Sequence, residues 1–97
     1  MAKYVTLVNW TEKGAASFGE TLDRAEAAKQ LAGAFGGAME QIYWTMGPYD
    51  IVVVSEAPDD ESASAFALAL ASQGNLRSMT LRAFSADEMK GIIAKVG

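Results

Sequence analysis

The segment Gly47-Pro48-Tyr49-Asp50 places a phenol and a carboxylate next to each other in a turn between two apolar segments. Gly47 can take a positive φ, and Pro48 fixes φ at a turn position. Asp50 can accept backbone amides across the turn, and Tyr49 can pack at the end of a sheet with its hydroxyl hydrogen-bonded. Alternatively, the two side chains could hold a polar group of a ligand.

Acid–base chemistry is a second possibility for the same region. Asp50 or Glu40 could act as a general base if its pKa were raised. Tyr49 or Arg82 could stabilise a developing negative charge, and Arg82 could bind an anionic ligand. The candidate ligand-binding residues, which combine aromatic and hydrogen-bonding groups, are Thr6, Trp10, Tyr43, Trp44, Tyr49, Asp50, Thr80 and Arg82.

Composition narrows the classes of function. The 97 residues carry a net charge of -4 with eight scattered Lys and Arg residues, which argues against a nucleic-acid surface. The chain has no cysteine and no histidine, so disulfides, thiolate chemistry and the commonest metal ligand are excluded, and we expect no metal and no cofactor.

Residues 59–61 are acidic, which is typical of a solvated helix start rather than a cation site. The longest apolar run, 65–71, is too short to cross a membrane, so we expect a cytoplasmic protein.

Periodicity predicts the order β-α-β-β-α-β followed by one more helix. The helix that begins at Thr21 has apolar residues at helical spacing and stops at Gly36-Gly37. Strand 51–56 is so uniformly apolar that both of its faces must be covered. This order is the ferredoxin-like α+β plan, a four-stranded antiparallel sheet with helices on one face, in a single domain 1–97. The other elements are strands 3–10, 39–46 and 76–84 and helices 58–73 and 85–96.

A ferredoxin-like sheet has one face without helices, and the apolar third strand would expose several side chains there. Burial of each contributes on the order of 1.5–3 kcal/mol, so we predict a homodimer whose two sheets face each other. Helix 58–73 is apolar nearly all round, and we expect the last helix to cover it within the same chain. Side chains on one side of a strand alternate with period two. The residues that we predict on the open face are Tyr4, Thr6, Val8, Trp10, Gln41, Tyr43, Thr45, Ser78, Thr80 and Arg82.

Three blocks in this order resemble the GYD domain family of small proteins. They are Asn9-Trp10-Thr11-Glu12-x-Gly14, the turn Gly47-x-Tyr49-Asp50 with its valine strand, and Gly74-Asn75 leading to 80–84. The resemblance spans nearly the whole chain and implies the dimeric α/β-barrel superfamily. The turn is also similar to one in the ligand-sensing domain of the leucine-responsive regulator family, although this chain has no helix-turn-helix segment.

Three functions remain open at this point. The first is a homo-oligomeric module that binds or senses a small organic ligand. The second is a cofactor-free monooxygenase or isomerase whose small aromatic or carbonyl substrate stacks on Trp10 or Trp44. This second hypothesis rests on fold analogy alone. The third is a structural assembly unit. A cavity with convergent polar groups favours the first two, whereas a solidly packed barrel favours the third.

Overall fold

The computed structural model describes residues 1–97 as a four-stranded sheet in the order β2-β3-β1-β4, with each neighbouring pair antiparallel. The strands are β1 Ala2–Trp10, β2 Ala38–Trp44, β3 Ile51–Ala57 and β4 Leu76–Ala83. The helices are α1 Glu12–Ala16, α2 Thr21–Ala34, α3 Asp60–Ala71 and α4 Ala86–Val96, and a 3-10 turn, Phe18–Glu20, precedes α2. The predicted ferredoxin-like α+β fold is therefore confirmed.

Side-chain caps define where the last two helices begin. Asp59 accepts a hydrogen bond from the Ser62 backbone N–H at 2.8 Å, and this bond holds the pKa of Asp59 below its usual value. Ser85 and Glu88 form a reciprocal capping box, and the N–H of Ser85 likewise lowers the pKa of Glu88. The acidic segment 59–61 thus acts as a helix start, as the sequence indicated.

The segment after β1 is more ordered than the sequence suggested. The sequence analysis assigned no helix between residues 10 and 21, but α1 forms there because the Thr11 hydroxyl accepts a hydrogen bond from the Gly14 N–H at 3.2 Å. Arg24 of α2 then donates to the Gly14 carbonyl at 3.1 Å and to the Ser17 hydroxyl at 3.0 Å. These bonds fix the connection between the sheet and α2.

The predicted open face was wrong for two strands. Even-numbered residues of β1 face α2 and α3, and Tyr4 and Val8 are only 4% and 5% exposed. Alternation shows which residues share a side, but it does not reveal which side the helices cover. The residues that this correction moves to the helix-covered face are Tyr4, Thr6, Val8, Trp10, Ser78, Thr80 and Arg82.

On β2 the predicted face is correct. A bulge at Glu40 shifts the pairing by one residue, so that Gln41 and Tyr43 point away from the helices although Met39 points toward them. Met39 pairs with Ser55, whereas Gln41 already pairs with Val54. Gln41 and Tyr43 therefore share the open face with the neighbouring valines of β3. Thr45, the third residue predicted there, follows the end of β2.

The two long helices pack on the sheet with small side chains. Ala32 of α2 is buried, and the rings of Phe35 and Phe66 lie 6.3 Å apart where α2 approaches α3. Leu22, one of the apolar residues at helical spacing in α2, is 67% exposed. The covered face of the sheet is consequently only loosely filled.

The last helix does not cover α3, contrary to our prediction. Met89, Ile93 and Val96 on the apolar side of α4 remain exposed, and so does Leu68 of α3. The molecule is elongated, with principal extents of 51 × 30 × 18 Å. No helix has the length and apolar character needed to span a membrane.

Candidate functional site

The end of β1 is held between the 45–50 turn and the 73–75 loop. The Trp10 N–H donates to Asp50 Oδ2 at 2.9 Å, and the Asp50 N–H donates to the Val8 carbonyl at 2.9 Å. On the other side, the Thr11 N–H donates to the Asn75 carbonyl at 3.1 Å. The three sequence blocks singled out above therefore meet at one end of the sheet.

The turn itself is closed by Thr45. Its N–H donates to the Asp50 carbonyl at 2.8 Å, and its hydroxyl donates to the Tyr49 carbonyl at 2.6 Å. Gly47 has φ +114°, which a residue with a side chain rarely adopts. Tyr49 is half-buried beside it. The Asp50 carboxylate is thus engaged with the backbone of β1, which favours its capping role over a role as a base.

Gly14 allows the 73–75 loop to approach. A Cβ atom at this position would lie 2.0 Å from the Asn75 carbonyl oxygen. The Thr11 hydroxyl donates to the Gly74 carbonyl at 2.6 Å, and Lys13 Nζ donates to the Gln73 carbonyl at 3.0 Å. The 73–75 loop thus contributes backbone carbonyls to this contact, whereas the first block contributes one backbone N–H and the side chains of Thr11 and Lys13.

Two substitutions at Asp50 distinguish the stabilising effect of its hydrogen bond from the effect of its negative charge. Asp50→Ala should lower stability by about 1.5–3 kcal/mol, because the Trp10 N–H loses a charged acceptor. Asp50→Asn keeps an acceptor oxygen and should retain most of that stability. Urea denaturation of both variants measures the difference. Equal losses in the two variants would show that the hydrogen bond to Trp10 is not the source of the effect.

A cavity of about 90 Å³ lies between the sheet and the pair α2 and α3. Three of the predicted ligand-binding residues, Thr6, Trp10 and Thr80, line it. The sequence analysis placed them on the opposite face and overlooked the alanines that line the cavity from the helices. Those alanines recur on one side of each helix, and this spacing was the feature of the sequence that could have indicated the cavity.

Arg82 belongs to a separate polar cluster at the start of α3. The Tyr4 hydroxyl donates to Asp60 Oδ1 at 2.5 Å, and this bond is the main cause of the raised pKa of Tyr4. Arg82 Nε lies 4.0 Å from Asp60 Oδ1, and its guanidinium also lies 3.9 Å from Glu88 and 4.6 Å from the centre of the Phe84 ring. Arg82 thus already has carboxylate partners and connects β4 to the starts of α3 and α4. Sequence reasoning missed Tyr4 and Asp60 here.

The open face of the sheet has two rows of side chains that cross all four strands, and all of these side chains except Gln41 are apolar or aromatic. One row runs Leu81, Val5, Val54 and Gln41, and the next runs Met79, Leu7, Val52 and Tyr43. Polar pairs lie on either side of these rows, Lys3 with Glu56 toward one edge and Asn9 with Arg77 toward the other. Lys3 Nζ also lies 3.1 Å from Glu40 Oε1. The face therefore has an apolar centre and a polar margin.

The predicted ligand-binding residues do not converge on one site. Tyr43 lies on the open face, and Trp44 donates through Nε1 to the Thr21 hydroxyl of α2 at 2.9 Å. Tyr49 and Asp50 stand at the end of β1, whereas Arg82 belongs to the cluster at the start of α3. The residues are distributed among the cavity, the turn, the polar cluster and the open face.

Comparison with known proteins agrees with this architecture. The GYD domain family matches residues 4–93. A Thermus thermophilus protein named "Glutamine synthetase and cystathionine beta-lyase binding protein" is 34% identical over 84 residues, which are 86% of this chain and 88% of that protein. The crystal structure of TTHA0845, also from Thermus thermophilus, superimposes with a TM-score of 0.58 at 22% identity, covering 89% of this chain and 96% of that one. This structural likeness supports the fold alone.

Proposed function

The chain belongs to the GYD domain family, and we propose that it is a protein-binding module that forms a homodimer through the open face of its sheet. The observation that carries the proposal is the pair of apolar rows across that face. Met79 and Leu81 are 55% and 45% exposed in the single chain, and Tyr43 is 55% exposed. A monomer would leave this surface in water.

The layout of the face fits an interface between identical copies. Interfaces have an apolar centre and a polar margin, and a two-fold axis through the centre places the same patch on both sides. Full burial of an apolar side chain contributes about 1.5–3 kcal/mol, and the face offers six such side chains on each copy, of which four are already partly buried in the single chain. The dimer gains most from Met79 and Leu81, the two that are most exposed, and the gain must offset an association cost of about 4–15 kcal/mol. The six apolar residues are Val5, Leu7, Val52, Val54, Met79 and Leu81.

The partner of the dimer, in our proposal, is a larger metabolic enzyme. The name of the Thermus relative gives two enzymes that this relative binds, glutamine synthetase and cystathionine beta-lyase. We assign the contact with the enzyme to α4, whose apolar side is uncovered. Ile93 and Val96 are 59% and 87% exposed on a helix that also carries Asp87, Lys90 and Lys95. An amphipathic helix of this kind binds by laying its apolar side into a groove of a partner.

Substitution on the two sides of α4 tests this assignment. Ile93→Asp should weaken binding to glutamine synthetase or cystathionine beta-lyase of the same organism by at least about 30-fold, because it would bury a charge at the contact. Ala94→Asp places the same charge on the opposite, exposed side of α4 and should bind like the unmodified chain. Biolayer interferometry with the immobilised full chain measures both. Absence of binding to either enzyme, or an equal effect of the two substitutions, would contradict the proposal.

A further inference from the structure

The cavity between the sheet and α2 and α3 is formed by small side chains where large ones normally fill the core. Alanines line it from both helices, and hydroxyl residues line it from the sheet. A layer of helices on a sheet is normally packed to high density with large apolar residues. The alanines are Ala25, Ala28, Ala63 and Ala67, and the hydroxyl residues are Thr6, Ser55, Ser78 and Thr80. This pattern leaves room beside groups that can form hydrogen bonds.

The cavity has a specific polar point at its β4 side, where Thr80 is exposed. Thr6 and Thr80 are paired on adjacent strands, and their hydroxyl oxygens lie 3.3 Å apart. Each hydroxyl offers one donor and two acceptor positions, so the pair has hydrogen-bonding capacity beyond its mutual contact. A ligand in the cavity can therefore donate to this pair or accept from it.

The remaining lining indicates a neutral, largely apolar ligand. Trp10 and Phe66 contribute aromatic surface, and most of the other lining side chains are aliphatic. Arg24 is the one charged residue in the lining, and its guanidinium already donates to Ser17 and Gly14. A cationic ligand would find no counter-ion in this lining and would lose its hydration, and an anionic one would find only Arg24, two of whose guanidinium nitrogens are already engaged.

We propose that this cavity binds a small neutral aromatic molecule that carries a hydroxyl or carbonyl group. One water molecule needs roughly 10–15 Å³ of cavity, so about 90 Å³ corresponds to roughly six to nine water molecules, enough for a body no larger than a single ring. The polar substituent contacts the hydroxyls of Thr6 and Thr80. The site lies on the opposite side of the sheet from the proposed dimer face and does not depend on the proposed partner.

Phenol and toluene are suitable probes, because they share a ring and differ in hydrogen-bonding capacity. We expect both to shift amide signals around the cavity in ¹H–¹⁵N NMR spectra of the full chain, with phenol bound more tightly. Ala28→Leu fills the cavity and should abolish these shifts, whereas Ala27→Leu adds the same volume on the exposed side of α2 and should preserve them. Absence of binding, or equal binding by the two variants, would overturn the proposal.

A second variant tests the polar point without changing the cavity volume. Thr80→Val removes the hydroxyl and keeps the shape of the side chain. Phenol affinity should fall about 5–10-fold, as expected for loss of one hydrogen bond, whereas toluene affinity should stay the same or rise slightly. Loss of both probes to the same extent, or no change for phenol, would overturn the assignment of Thr6 and Thr80 as the polar contact. Thermal unfolding of each variant establishes that it is folded.

Discussion

Leu81→Asp is expected to convert the homodimer into a monomer. Leu81 pairs with Val5 of β1, and the same row continues to Val54 of β3. A two-fold contact would bury one new carboxylate from each copy, and burial of an unpaired charge is costly. We expect the dimer dissociation constant to rise at least about 100-fold, which corresponds to about 2.7 kcal/mol. Light scattering coupled to size exclusion measures the mass over a range of concentrations.

The same substitution at Leu68 provides the control. Leu68 is 72% exposed on α3, away from the open face, so Leu68→Asp should leave the dimer intact. Leu81 is already 45% exposed in the single chain, and its replacement should therefore affect folding of the monomer little. A dimer that persists in Leu81→Asp, or that is lost equally in Leu68→Asp, would show that the open face is not the contact.

Gly14→Ala should have the largest effect on stability. The new Cβ would lie 2.0 Å from the Asn75 carbonyl oxygen, and backbone on both sides leaves no flexible group to move aside. Relief of this clash would displace the loop and lengthen the 3.1 Å bond between the Thr11 N–H and the Asn75 carbonyl. We expect a loss of about 2–3 kcal/mol and a Tm about 10–20 °C lower.

Gly33→Ala is the matched control for this change. Gly33 lies within α2, and a Cβ there would meet no atom within 4 Å. Alanine is the better helix former by about 0.5–1 kcal/mol, so this variant should unfold a few degrees higher than the unmodified chain. Thermal denaturation followed by circular dichroism gives both values. A small effect at Gly14 would mean that the 73–75 loop tolerates displacement.

The fold could be predicted because its signals are local. Ser85 and Glu88 have the spacing of a capping box, and the box is present at the start of α4. The apolar run of β3 predicted an inner strand, and β3 lies between β2 and β1. The side of the sheet that the helices cover depends on packing between distant segments, and period-two alternation contains no information about it. The position of α4 depends on the same kind of contact.

The site was less predictable, because its residues come together only when the strands pair in one particular register. Asp50 reaches the Trp10 N–H only because Val8 pairs with Ile51, and the turn by itself does not specify that pairing. Tyr4 and Asp60 are 56 residues apart and became neighbours through the packing of α3 on the sheet. The residue types of the turn were informative about its conformation, whereas the partner of the carboxylate required the tertiary structure.

The most direct test of the central claim is isotope-filtered NOE spectroscopy on a mixture of labelled and unlabelled copies of the chain. This measurement detects only contacts between protomers and assigns them to individual methyl groups. We predict intermolecular cross-peaks from the methyls of Val5, Leu7 and Leu81 on the open face. A monomeric sample without such cross-peaks, or cross-peaks confined to Ile92 and Ile93 of α4, would contradict a homodimer formed through the sheet.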